Sequence, residues 1–111
     1  MSFKNLFHDR VEVGKTIKSS KIYYYWEMKV NDKYHKIELF HSLLSGKKKL
    51  LLDAQVLTED KTFSNNFTYS FKLDKHYCNV IQSAKDNFEL RIDNKKFNII
   101  LKESRYSKKN K

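Results

Sequence analysis

The chain has 111 residues, of which 32% are charged, 40% hydrophobic and 14% aromatic, and a formal net charge of +10. That length makes one domain with room for a real core, and the aromatic share excludes a disordered chain. A single cysteine excludes an internal disulfide and fits a reducing compartment, and no apolar run reaches membrane length.

Residues 1–21 hold five basic and two acidic groups, a net +3. They contain no apolar stretch of the signal-peptide kind, so a soluble, cytoplasmic protein is expected. Phe3, Leu6 and Phe7 have helical spacing, whereas Val11 and Val13 alternate around Glu12. A short helix or irregular arm is expected here. Its apolar residues either fold back over an open sheet edge or insert into a partner.

From residue 22 the pattern changes to strict alternation. Ile22, Tyr24, Trp26, Met28 and Val30 are apolar at every second position, as in a strand with one buried face. Asn31-Asp32 is a two-residue hairpin turn, since both residues tolerate positive φ. Ile37 and Leu39 return, Ser45-Gly46 turns again, and Leu50 and Leu52 lead the third strand inward. After the turn at Asp53-Ala54-Gln55, Val56-Leu57 begin a short strand and Thr58–Asn66 reads as a loop. Phe67, Tyr69, Phe71 and Leu73 alternate, Tyr77–Ser83 is a weaker strand, and Phe88, Leu90 and Ile92 alternate again. Asp93-Asn94-Lys95 turns into a last strand through Phe97, Ile99 and Leu101. The expectation is an all-β antiparallel β-sandwich of about seven to eight strands, with basic N- and C-terminal arms. Its domain spans 22–102, between arm 1–21 and tail 103–111. The expected core is Trp26, Met28, Ile37, Leu39, Leu50, Leu52, Phe71, Leu73, Leu90, Ile92, Phe97 and Ile99. No internal repeat is visible.

Trp26, the run His35-Lys36-Ile37-Glu38, His41, the turn Ser45-Gly46-Lys47 and Asp53 together resemble the amino-terminal domain of the Fas apoptotic inhibitory molecule family. That family shows W-x-V, H-K-I-E-x-x-H, S-G-K and a strand ending in V-D-G. Phe71-Lys72-Leu73 and the segment Phe88–Lys95 are similar to its F-K-L and Y-T-L-E-I-N-G-K segments. The likeness covers about residues 22–102 and its motifs are turns and strand faces. Family members usually carry a second, related β domain, for which this sequence leaves no room. The segment between Leu73 and Phe88 is also shorter than the family's. The resemblance implies a cytosolic protein-interaction module. Family members regulate death-receptor signalling and protect cells against protein aggregation.

Chemistry finds little purchase. His35 and His41 share a face but stand about 20 Å apart along a straight strand. His76 and Cys78 share a face and give only two ligands, too few for zinc. Cys78 with His76 lacks an orienting acid, and a buried cysteine is usually inert packing. Glycines at 14 and 46 form no phosphate cradle. Neither catalysis, metal, cofactor nor small-molecule substrate is expected.

Binding remains. Lys47, Lys48 and Lys49 form one basic run, and Arg105, Tyr106, Lys108 and Lys109 belong to another; both also read as solvated turn and tail. Residues 102–111 carry a net +4, as much as the arm-flanked domain does within one charge. With Phe3 and Phe7, these are the candidate partner contacts. Their hosts would be an acidic protein surface, nucleic-acid phosphates or anionic lipid. Tyr23, Tyr25 and Tyr77, if exposed, could stack on bases but do not match an RNA-recognition sheet. The expectation is a non-catalytic protein-binding subunit docked by its arms on a larger acidic assembly, for example a ciliary microtubule. An RNA-binding or ribosome-associated role is the runner-up.

Overall fold

The computed structural model describes residues 3–109, with side chains through residue 104. Strands β1 (Phe3–Glu12), β2 (Lys21–Val30), β3 (Lys33–Ser42), β4 (Lys47–Leu52) and β5 (Gln55–Lys61) form one sheet. Strands β6 (Thr68–Leu73), β7 (His76–Ala84), β8 (Asn87–Ile92) and β9 (Lys95–Lys96) form the second, and helix α1 (Phe97–Lys109) follows. All strand pairs are antiparallel and follow chain order. This is the sandwich that the alternation predicts.

The tight turns explain the order. Asn31-Asp32, Asp53-Ala54 and Asp93-Asn94 each hold φ between 50° and 68° at both residues. Paired left-handed residues match the right-handed twist of the flanking strands, so each turn returns the chain beside itself. Between the sheets lie Ile22, Tyr24, Trp26, Met28, Val30, Ile37, Leu39 and Leu50 from the first, and Leu73, Cys78, Val80, Phe88, Leu90 and Ile92 from the second. Each large side chain among them stabilises by about 1.5–3 kcal/mol. Leu52 and Phe71, expected in the core, pack against it half-buried.

Three segments differ from expectation. The first is the N-terminal arm, which is neither helical nor irregular. It forms β1 along the edge of β2, from Phe3 opposite Val30 to Glu12 opposite Ile22. A bulge between Lys4 and Phe7, with Asn5 at φ 53°, inserts one residue. That extra residue lets Phe3 and Leu6 both face inward, which mimics helical spacing in the sequence. The second is Thr58–Lys61, which continues β5 rather than opening a loop. The third is the last hairpin, cut to two residues and replaced by α1. A helix buries Phe97 (2% exposed) and Ile100 (7%) three positions apart, with Leu101 beside them, and leaves Ile99 46% exposed. A strand here would bury Ile99. The helix instead covers the side of the sandwich between β1 and β9.

A repeat absent from the sequence pattern is present in the structure. In the first sheet Asp53, in the β4–β5 turn, accepts from His35 Nδ1 (2.7 Å) and from the Lys36 amide (2.8 Å). In the second, Asp93, in the β8–β9 turn, accepts from His76 Nδ1 (2.7 Å) and from the Tyr77 amide (3.0 Å). The amides of Asp53 and Asp93 donate back to Lys36 O and Tyr77 O. The same turn clamp is built twice. The first accounts for His35 and Asp53 of the recognised motif.

Candidate functional site: the outer face of the five-stranded sheet

Alternation in β1, β2 and β3 leaves Phe7, Tyr23, Tyr25 and Phe40 on the side away from the core. Register brings them together. Val11 faces Tyr23 and Tyr23 faces Phe40; Asp9 faces Tyr25 and Tyr25 faces Glu38; Phe7 faces Glu27. The rings form a chain with centroids 5.8 Å apart for Phe7–Tyr25, 5.3 Å for Tyr23–Tyr25 and 4.7 Å for Tyr23–Phe40, the last two pairs stacked. Lys36 Nζ lies 5.2 Å from the Tyr25 centroid. Leu51 and Val56 extend the apolar surface across β4 and β5, opposite one another in register.

Two phenols on this face, Tyr23 and Tyr34, are held in place. The Tyr23 hydroxyl donates to Glu38 and the Tyr34 hydroxyl to Glu27. Burial, reinforced by Glu38, pushes the Tyr23 phenol above its ordinary range. The bond to Glu27 pushes Tyr34 up to about 12. Both therefore stay neutral donors at physiological pH. Rings fixed in this way lose little freedom when something is laid on them. Contiguous apolar surface is more informative than apolar residues scattered singly.

One end of the face is basic. Lys21 sits opposite Ser42, Lys47 opposite Lys61 and Lys49 opposite Phe40 and Glu59. Lys47 Nζ bonds Glu59 Oε1 at 3.0 Å. A pocket of about 180 Å³ opens there between Val13, Phe40 and the lysines. Gly14 sets the neighbouring bend, since a Cβ on it would lie 2.0 Å from Ile17 O. A second recess of about 330 Å³ opens between β1, β8 and α1 over Tyr24, Trp26, Phe88 and Phe97. Arg10 spans it, bonding Asp86 at 3.2 Å and the Tyr24 hydroxyl at 3.4 Å, so its walls are tied together.

The expected contacts are redistributed. Phe7 is 48% exposed and joins the aromatic chain. Phe3 is half-buried against the core and lies 4.9 Å from the His76 ring. Lys47 is exposed and Lys49 half-buried, but Lys48 between them points inward and is 1% exposed. Its ammonium donates to Thr62 O (2.6 Å) and Gly46 O (3.3 Å), and burial lowers its pKa. Lys48 is therefore a structural tie and not a partner contact. Arg105, Tyr106, Lys108 and Lys109 lie in α1, with side chains outside the described residues. Phe40, Lys21 and Val13 were missed. Their signal was present, because Tyr23, Tyr25 and Phe40 occupy the nominally polar positions of otherwise clean strands.

The candidates for chemistry are separated or sealed. His35 and His76 are each engaged by an aspartate. Cys78 is fully buried and its thiol is pushed up to about 12 by burial, then by Asp93. Among the described residues no three His, Cys, Asp or Glu side chains gather to hold a metal, and no helix is long and apolar enough to cross a membrane.

Neither the curated proteins nor the solved structures compared with the chain give a match. A family model does, over residues 22–111, and that span includes the turn clamp, the β2–β3 aromatics and the inward-facing His41. The chain therefore belongs to the Fas apoptotic inhibitory molecule (FAIM1) family.

Proposed function

We propose that this domain is a non-catalytic protein-binding module whose contact surface is the outer face of the five-stranded sheet. The observation that carries this reading is the chain of stacked rings Phe7–Tyr25–Tyr23–Phe40 on the side away from the core. Aromatic anchors with a charged rim are the usual composition of a protein interface. The excess of lysine favours an acidic partner. The setting we propose is the cytoplasm, with the domain a small structural or regulatory subunit on a larger acidic assembly, of which a ciliary microtubule is one example.

Single-stranded nucleic acid also uses stacked rings beside lysines. Here Asp9, Glu27 and Glu38 lie within the aromatic rows and oppose a phosphate chain running along them. Nucleic acid therefore remains the second reading. The test is retention of proteins from a native lysate by the immobilised domain, with and without nuclease, compared with a Phe7→Ser/Tyr25→Ser variant of unchanged thermal midpoint. Nuclease-resistant partners lost in the variant support the module. Equal retention by both forms overturns it.

A further inference from the structure

We propose that the pocket at the basic end of the outer face takes an acidic peptide segment bearing one aliphatic side chain. This rests on the module reading above and names the chemistry of its partner. The pocket holds about 180 Å³. Small-molecule sites usually enclose about 300–1,000 Å³, so this one fits a side chain better than a whole metabolite.

Its walls divide in two. Val13 and Phe40 supply apolar surface, and Lys21, Lys47 and Lys49 stand around it. Lys61 adds a fourth ammonium opposite Lys47 in the register. Glu59 is the counter-charge across from Lys49, and it is already committed to Lys47 at 3.0 Å. That bond holds the Glu59 carboxyl below its ordinary range. Among the described residues Lys21 and Lys49 enter no ion pair. Two uncommitted cations beside an apolar floor complement carboxylates that flank an apolar side chain.

A phosphodiester chain would also meet the lysines. It carries a charge at every nucleotide, however, and leaving the pocket along the rings it reaches three carboxylates, Glu38 opposite Tyr25, then Glu27 and Asp9, against the Lys36 ammonium opposite Glu27. A peptide confines its charge to the lysine end and lays neutral backbone and side chains over the rings. The charge layout of the face therefore favours a peptide.

The probe is a fluorescent peptide of glutamates around a central leucine, measured by anisotropy against the full chain. We expect saturable binding that weakens with salt. Replacing the central leucine by alanine should cost about tenfold, the equivalent of one buried aliphatic side chain. Lys21→Glu with Lys49→Glu should cost more than that, and Lys21→Gln with Lys49→Gln an intermediate amount, at unchanged thermal midpoint. Equal affinity for the leucine and alanine probes overturns the pocket, as does equal binding by wild type and the glutamate variant. Tighter binding of oligouridylate with the same number of charges also overturns it and identifies nucleic acid as the occupant. Partner retention that depends on Phe7 and Tyr25 but not on Lys21 and Lys49 overturns the pocket and leaves the module standing.

Discussion

Asp53 grips His35 with one carboxylate oxygen at 2.7 Å and the Lys36 amide with the other at 2.8 Å, so one turn side chain fixes the start of a strand two strands' length away in sequence. Asp53→Asn keeps the shape and loses the charge, and should cost about 1 kcal/mol in a urea titration. Asp53→Ala removes both bonds and should cost about 2–3 kcal/mol. The equivalent changes at Asp93 act in the other sheet and should add to these nearly independently. A double variant no less stable than either single one would mean the two clamps do not act separately.

Ala54 follows Asp53 at φ 68°, a left-handed conformation that a side chain resists. Ala54→Gly relieves that strain at the cost of a more flexible unfolded chain. We expect a net gain of about 0.5–1 kcal/mol, read as a higher thermal midpoint. The same change at Gln55, on the strand side of the turn, should give no gain.

The three consecutive lysines of β4 should behave differently. Lys48→Met leaves Thr62 O without its donor, while Gly46 O keeps the Thr62 amide, and should cost about 1–3 kcal/mol. Lys47→Met and Lys49→Met lie on the outer face, and each should stay within about 0.5 kcal/mol of wild type. Denaturant midpoints of the three variants give the comparison.

His41 is 5% exposed under the Phe88 ring, 5.0 Å away, and its Nδ1 has no partner among the described residues. Burial, with Lys48 adding to it and Asp86 opposing, lowers its pKa from 6.5 to about 4. The unfolded chain therefore takes up a proton at higher pH than the fold does, and stability from this residue falls as pH drops from 6.5 towards 4. Urea midpoints across that window should fall in the wild type and fall less in His41→Gln. Parallel curves would assign the acid sensitivity to other groups.

Cys78, sealed between the sheets, should not react with a disulfide exchange reagent in native buffer and should react fully in denaturant. Its native labelling rate should follow the equilibrium population of the opened form. Rapid native labelling would reopen a thiol-based activity.

The sheets were readable because alternation at period two is a strong signal over Ile22–Val30, and Asn31-Asp32 punctuates it with turn chemistry. The errors came from residues that satisfy two periods at once. Phe3, Leu6 and Phe7 fit a helix until a bulge at Asn5 lets them fit a strand. Phe97 and Leu101 fit both periods, and burial of Ile100 rather than Ile99 favours the helix. The basic turn was visible, but only alternation applied inside Lys47-Lys48-Lys49 separates its buried member from its two outward ones. The aromatic surface was half visible. Tyr23 and Tyr25 stood out one by one, yet their continuity with Phe7 and Phe40 depends on strand register, which a single sequence does not give.

Because within each sheet every strand bonds to its neighbour in the chain, each ladder closes by zipping from a nearby turn. Low separation between partners favours rapid folding, and the slow step left is the meeting of two preformed halves. Those halves divide between Lys61 and Thr68. Cutting the backbone there should yield two fragments that reassemble without a linker, which makes this connection the natural place to split the polypeptide as a reporter.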